Sequence, residues 1–341
     1  MKILVIQTAF LGDAILTLPL IQKLKSKYSE SIISVIAIPA SKDIFNASEF
    51  VNETIVFDKK GNDRSLKAVY DLFLKIRSKK FDQIYSPHRS FRSSLMVLFS
   101  GCKETYGFNT SSLSFVYKYL VEYKKDIHEV ARNLYLGGFD ISGDNWKIFP
   151  DIKISPVINK KIEYEIKNNF KNEYITIALG SVWATKKYPI EYYREVALHF
   201  ISRDYSIALI GGKEDVKDSE SISKELGNKV VSFAGKLSLI ESIALINESK
   251  VLICNDSAPT HLGMATTTPV LTIYCSTIRD FGFYPYADNS IVLSYDNLEC
   301  KPCGIHGRTK CPLDHFNCGF KLTPQFVIDM ISKDIINKKL N

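Results

Sequence analysis

The run Val251-Leu252-Ile253-Cys254-Asn255-Asp256-Ser257-Ala258-Pro259-Thr260-His261-Leu262-Gly263-Met264-Ala265, followed after Thr266–Pro269 by the apolar run Val270 to Tyr274, reads as strand, polar turn, short helix, strand. Asp256 and Ser257 are natural N-cap residues, and Pro259 suits a first helical turn. Such a turn leaves backbone N–H groups free at the carboxyl end of a parallel strand, a place that binds anions and above all phosphates. His261 is expected in the first turn, facing the bound group. The same residues also make a well-capped crossover helix with no ligand, and local pattern does not choose between the two.

Outward from this stretch, apolar runs alternate with helical patterns in both directions. Downstream of about residue 172 the predicted strands are Tyr174–Ala178, Ser206–Ile210, Val230–Ser232, Val251–Cys254 and Val270–Tyr274. Helices are expected between them over Ile190–Ser202, Asp215–Leu226, Ser238–Asn247 and Pro259–Ala265. Upstream, strands are predicted at Ile3–Ile6, Ile32–Ile38, Thr54–Phe57 and Gln83–Tyr85, with helices at Asp13–Lys27, Ser65–Lys79, Ser90–Ser100 and His128–Gly137. This alternation implies α/β architecture with parallel sheets. The expected organisation is a first doubly wound domain over 1–150, a linker over 151–172 with a helix near Lys160–Phe170, and a second domain over 173–322. A C-terminal helix, about Thr323–Lys338, has room to pack back on the first domain. Ligands in such folds gather at the carboxyl ends of strands, here in a cleft expected between the domains.

The bulk numbers fit a soluble globular protein of two domains. The chain has 341 residues, 45% hydrophobic and 24% charged, ordinary values for a globular protein. No apolar run approaches the roughly 20 residues that span a bilayer. Met1 to Ile6 is a short strand ended by polar Gln7-Thr8, not a signal peptide, so the expected location is cytoplasmic. The net charge of +7 suits phosphate-rich substrates or an anionic membrane surface. The basic residues form no dense arm or aromatic-basic motif, which argues against nucleic acid.

Several loops carry chemistry-bearing residues. Strand one ends in Gln7-Thr8-Ala9-Phe10-Leu11-Gly12-Asp13. Asp13 at a helix start is favoured by the macrodipole, and at the mouth of a cleft it can act as general base. Gly12 permits close backbone approach. Ser86-Pro87-His88-Arg89-Ser90-Phe91-Arg92-Ser93-Ser94 offers hydroxyls at Ser90, Ser93 and Ser94 and guanidinium groups at Arg89 and Arg92 for an acidic substrate. His128-Glu129 opens a later helix as a polar cap. In the second half, Gly180 and Ser181 form a close loop, and Lys186 can reach a phosphate. Gly211-Gly212-Lys213-Glu214-Asp215 offers a carboxylate, Glu214 or Asp215, to ribose hydroxyls.

There are seven cysteines. Cys300-x2-Cys303, Cys311 and Cys318 cluster with His306 and His315 interleaved. A Cys-x2-Cys pair with two further thiols is a zinc or iron pattern, although the second pair is spaced more widely than in a zinc ribbon. A reduced, thiol-rich loop packing beside the cleft is the expected state, with a bound metal at these four cysteines as the alternative.

In their order and spacing, Lys2-Ile3-Leu4-Val5-Ile6, Gly12-Asp13, His128-Glu129, Lys186, Asp256–His261, Cys300-x2-Cys303 and Cys311-Pro-Leu-x-His315-x2-Cys318 resemble glycosyltransferase family 9, the ADP-heptose:lipopolysaccharide heptosyltransferases, and most of all their heptosyltransferase II type. The resemblance covers nearly the whole chain. It implies the GT-B architecture, with the acceptor site mostly in the first Rossmann-like domain and the donor nucleotide site mostly in the second. It also implies inverting, metal-independent transfer with no cofactor.

By this resemblance Asp13 is the general base, while Lys186 and the turn at Ser257-Ala258-Pro259 stabilise the departing diphosphate. The implied donor contacts are Gly180, Ser181, Lys186, Glu214, Asp215, Asp256, Ser257, Ala258, Pro259 and His261. The implied acceptor contacts are Gly12, Arg89, Ser90, Arg92 and His128. The implied partners are ADP-heptose and a lipopolysaccharide core acceptor, met at the cytoplasmic face of the inner membrane. The chain departs from the family pattern at Gln7, Ala9 and Phe10, at Leu179-Gly180-Ser181, and at Ala258, where glycine is usual. The alternatives are a relative using another nucleotide sugar or a protein acceptor, a nucleotide-sugar epimerase, and a non-catalytic sugar-nucleotide-binding protein.

Overall fold

The computed structural model describes residues 1–59, 61, 63 and 65–333. The chain separates into two compact units, the first Met1–Lys153 and the second from Ile154 onward.

In the first unit six parallel strands form one sheet: β1 (Lys2–Gln7), β2 (Ile32–Ala37), β3 (Glu53–Val56), β4 (Gln83–Ser86), β5 (Glu104–Phe108) and β6 (Tyr119–Val121). Their spatial order is β3-β2-β1-β4-β5-β6. Ile3 to Ile6 are fully buried, as a central parallel strand covered on both faces requires. The crossover helices are α1 (Leu11–Lys27), α2 (Lys42–Asn46), α3 (Leu66–Lys79), α4 (Phe91–Ser100) and α5 (Glu129–Leu136). Ser65, Ser90 and His128 cap α3, α4 and α5 by accepting from the backbone of Ala68, Ser93 and Val130, which satisfies N–H groups the helix leaves open.

The four strands expected here are present, and β5 and β6 extend the sheet beyond them. Glu104-Thr105-Tyr106-Gly107-Phe108 carries too little apolar alternation to read as a strand. Gly107 is there because the Tyr117 ring lies against it: an added Cβ would sit 2.4 Å from that ring.

The second unit opens with α6 (Pro156–Asn169), capped by Ser155. It starts earlier than the helix expected near Lys160 and lies against the helix over 239–247. Its sheet contains β7 (Tyr174–Ala178), β8 (Ser206–Ile210), β9 (Val230–Ser232), β10 (Leu252–Asn255), β11 (Val270–Tyr274) and β12 (Ile291–Ser294), in the order β9-β8-β7-β10-β11-β12. The helices between are α7 (Ile190–Ser202), α8 (Val216–Leu226), α9 (Leu239–Asn247) and α10 (Ala258–Gly263), followed by α11 (Asn317–Phe320) and α12 (Pro324–Ile331). Numbered within its own unit, each sheet has the strand order 3-2-1-4-5-6 of the dinucleotide-binding fold.

The described part of the C-terminal helix, α12, buries Val327, Ile328 and Ile331 in the core of the second unit, together with Val196 and Phe200 of α7. Residues 334–338 of the helix expected there lie outside the described residues. No described helix is long and apolar enough to cross a membrane.

Candidate active site

In a sheet of order 3-2-1-4-5-6 the chain leaves strands 1 and 4 in opposite directions, and the loops that follow them part to make a binding crevice. In the second unit these loops follow β7 and β10. Asn255, fully buried at the end of β10, joins them. Its side-chain Oδ1 accepts from the Tyr188 N–H (2.8 Å) and the Tyr193 hydroxyl (3.0 Å), and its Nδ2 donates to the Leu179 carbonyl (2.8 Å). With its side-chain oxygen and nitrogen both engaged, Asn255 fixes where the next residues emerge.

Those residues hold a nearly buried ion pair. Lys186 Nζ lies 2.6 Å from Asp256 Oδ2, with side-chain exposures of 13% and 8%. The Thr277 hydroxyl donates to the same oxygen (2.6 Å). Two charges taken from water need such partners, and the pair places a cation at the carboxyl end of the two central strands. Ser257 is the N-cap of α10 but makes no side-chain cap bond; its hydroxyl donates to the Gly180 carbonyl at 3.2 Å. Ala258 is the first helical residue of α10, so this position does not need the conformational freedom of glycine. Pro259 lies in the first turn as expected. His261 is 4% exposed, and its Nδ1 has no hydrogen-bond partner. Burial lowers its pKa to about 4, with Lys186 acting in the same direction against Asp256. It is a neutral imidazole one turn inside the helix.

Glu214 and Asp215 are separated by their surroundings. Asp215 points inward: its carboxylate accepts from the Gly212 N–H at 3.0 Å and fills the space in front of Gly180 and Gly211, where an added Cβ would meet it at 2.2 and 2.7 Å. Burial raises its pKa. Glu214 stands exposed beside it. Gly180 and Gly211 thus serve the packing of Asp215, and Glu214 carries the accessible carboxylate.

Sequence reasoning expected the cysteine loop beside the cleft but identified none of its contacts with these residues. The Arg308 N–H donates to Thr185 Oγ1 (2.8 Å), the Thr185 N–H donates back to the Arg308 carbonyl (3.0 Å), and Thr185 Oγ1 donates to Ser276 Oγ (3.0 Å). Gly307, at φ +80°, lies against Lys186. Gly304 and Gly307, close together in a short loop, were the available signal. The thiols of Cys300, Cys303, Cys311 and Cys318 lie near enough to act on one another electrostatically, and burial together with this interaction holds the Cys303 and Cys318 thiols above their usual range. Cys300 Sγ lies 3.9 Å from His315 Nε2, and Cys303 contacts the Cys300 carbonyl. Among the described residues no group of three or more His, Cys, Asp or Glu side chains is arranged to hold a metal ion.

In the first unit the corresponding loops follow β1 and β4. Thr8 Oγ1 meets His88 Nδ1 at 2.8 Å, and Ser93 Oγ lies 3.2 Å from the same nitrogen. Gln7 is buried; its amide nitrogen donates to Thr17 Oγ1 (2.9 Å), while its oxygen accepts from the Ala9 N–H (3.2 Å). Gln7 therefore shapes the turn into α1, whereas Phe10 is exposed. Asp13 lies in the first turn of α1, after buried Gly12, and accepts from the Phe10 N–H at 3.2 Å. Burial raises its pKa to about 6, against the pull of that N–H and of Arg89 and Arg132.

Around Asp13 the charges are held by Tyr123. The Arg89 guanidinium stacks on its ring at 3.8 Å, and Arg132 Nη1 donates to its hydroxyl at 2.9 Å while pairing with Glu129 at 2.5 Å. Burial pushes the Glu129 carboxyl up despite Arg132. His128 caps α5 and stacks on Trp146 (4.8 Å); it is buried rather than presented to a ligand. Ser90 caps α4, and Ser94 is turned inward to the Tyr117 hydroxyl (3.2 Å). Arg92 is exposed. With Thr8, Lys59 and Ser90 it rims a cavity of about 590 Å³ floored by apolar side chains of α3 and α4.

Comparison with known proteins places this geometry. The chain is 24% identical over 342 residues to lipooligosaccharide heptosyltransferase 2 of Campylobacter jejuni, covering 98% of this chain and 99% of the relative. It is 23% identical over 303 residues to lipopolysaccharide heptosyltransferase 2 of Escherichia coli K12, covering 82% and 84%. Among solved structures it superposes on the ADP-heptose lipopolysaccharide heptosyltransferase II of Escherichia coli with a TM-score of 0.80 at 22% identity, over 99% of this chain and all of that one, so the fold is the GT-B fold. The family model for glycosyltransferase family 9 (heptosyltransferase) matches residues 69–312, well over half of the chain, and the protein belongs to that family of glycosyltransferases.

Proposed function

We propose that the protein moves a heptose from ADP-heptose to a lipopolysaccharide core acceptor with inversion at the anomeric carbon. The observation that carries this reading is Asp13. A carboxylate at the carboxyl end of β1, held near pKa 6 by burial, is ionised at neutral pH yet basic enough to accept a hydroxyl proton. The acceptor oxygen gives its proton to Asp13 and forms the new bond to the anomeric carbon. The bond from that carbon to the ADP oxygen breaks on the opposite face, and ADP leaves with the electron pair. Lys186, held by Asp256, supplies positive charge to the diphosphate. Glu214 is the ribose contact, and Asp215 holds the loop beneath it.

In this reading the first unit takes the acceptor, with Arg89 and Arg92 meeting its acidic groups, and the second takes the donor. The names of the relatives support the choice of donor and acceptor. The net charge of +7 supports work at the cytoplasmic face of the inner membrane, where the acceptor is anchored. A binding panel of ADP, UDP and GDP sugars, read by thermal shift and followed by product analysis with a core acceptor, tests the reading. ADP-heptose is expected to stabilise the protein most. A clear preference for UDP or GDP sugars overturns the heptose assignment, and turnover of the donor without an acceptor favours an epimerase.

A further inference from the structure

We infer that the outer face of α3 and α4 is the surface on which the protein seats itself against an anionic lipid bilayer. A helix packed on a sheet ordinarily turns polar residues to water; these two turn large apolar side chains there as well. Tyr70 (60% exposed) and Leu74 lie one turn apart on α3. Phe91 and Leu98 lie two turns apart on α4, with Phe99 beside them. Phe73 of α3 stacks on Phe99 of α4 at 4.9 Å, which joins the two helices into one apolar surface. Phe115, 78% exposed, sits on the short helical turn over Ser114–Val116 that packs beside α4. A contiguous exposed apolar patch of this kind marks an interaction site.

The charges around it select the partner. Lys67, Lys75, Arg77 and Arg92 are all exposed, and Asp71 is the one carboxylate on the two helices. An apolar face ringed by Lys and Arg is the composition that enters the headgroup layer of an anionic bilayer. The 590 Å³ cavity lies under the same helices, and Phe73, Phe91 and Leu95 wall it as it runs to Thr8, at the end of the strand that delivers Asp13. A lipid-anchored acceptor can thus reach the base from the surface that meets its membrane. This deepens the acceptor reading and rests on it for that last step alone.

The test uses the full chain with phosphatidylcholine vesicles, with and without phosphatidylglycerol. Binding is expected only with phosphatidylglycerol and is expected to weaken as salt rises. Leu74→Glu/Leu98→Glu and, separately, Lys67→Gln/Arg77→Gln are each expected to lower binding by about tenfold or more. The second variant leaves the apolar face whole, and a thermal melt of each verifies folding. Absence of wild-type binding, or variants that bind as wild type does, overturns the inference. So does concentration-dependent self-association abolished by the same substitutions, which would make the patch an interface between copies. Transfer to a delipidated core oligosaccharide is expected to be unchanged in both variants. Failure of the wild type in that assay refutes the acceptor reading, while the vesicle result still decides the surface.

Discussion

Replacing Asp13 by Asn separates catalysis from stability in one residue. Burial lifts the Asp13 pKa from 3.8 to about 6. A tenfold change in an acidity constant is worth about 1.4 kcal/mol, so ionising this carboxylate costs the folded state at most about 3 kcal/mol, and about 1–2 kcal/mol with water reaching its exposed edge. Because the folded pKa is raised, the penalty is absent below the unfolded value of 3.8, grows as pH rises towards 6, and is complete above 6. Asn keeps an oxygen for the Phe10 N–H and carries no charge. Asp13→Asn is therefore expected to raise the melting temperature at pH 8 by roughly 3–6 °C, with the gain shrinking as pH falls through 6 and vanishing below about 4. It is also expected to abolish transfer while leaving ADP-sugar binding intact. In the wild type, kcat is expected to fall about tenfold per pH unit below about 6. Calorimetry across pH, with initial rates on the same preparations, reads both effects. An Asn variant that is no more stable at pH 8 refutes the burial argument, and one that turns over as the wild type does refutes the base.

Two further perturbations follow from the donor loops. Lys186→Ala leaves Asp256 buried without its cation, which is expected to cost about 3–5 kcal/mol and to weaken ADP binding; adding Asp256→Asn should recover the stability in a denaturant melt but not the affinity. Gly180→Ala drives a Cβ into the Asp215 carboxylate and is expected to cost about 1–3 kcal/mol, relieved by Asp215→Ala, whereas Glu214→Gln should raise the donor KM with no change in melting temperature.

Much of the second unit is legible in its sequence. Tyr174–Ala178, Ser206–Ile210 and Val270–Tyr274 are continuous apolar runs bounded by polar turns, and the strands there run over the same residues. Parallel strands buried on both faces must be written that way. β5, β6 and β12, of three to five residues, escape a reading of the sequence, β5 because Glu104, Thr105 and Gly107 interrupt its apolar residues. The site divides in the same manner. Asp13 and Lys186 are visible because a charged residue beside a strand end stands out against its apolar neighbours. Thr185, Thr277 and Arg308 are not, because their roles depend on partners far away in the chain: Thr277 on Asp256, and Arg308 on a loop 123 residues earlier.

By itself the sequence determined the fold class, the two parallel sheets, the position of Asp13 at the start of the first helix and the family resemblance. All of these follow from local periodicity and from the spacing of a few polar residues. Tertiary structure alone decided what each polar residue does. Two adjacent carboxylates, Glu214 and Asp215, look equivalent in sequence; one is exposed and the other is folded against two glycines. Asp256 and Lys186, far apart in the chain, share an ion pair at 2.6 Å. His261 reads in sequence as a ligand-facing imidazole and is buried and neutral. The reason in each case is desolvation: whether a polar group is presented, paired or silenced depends on which other elements exclude water from it, and that is settled only when the sheet brings distant loops together.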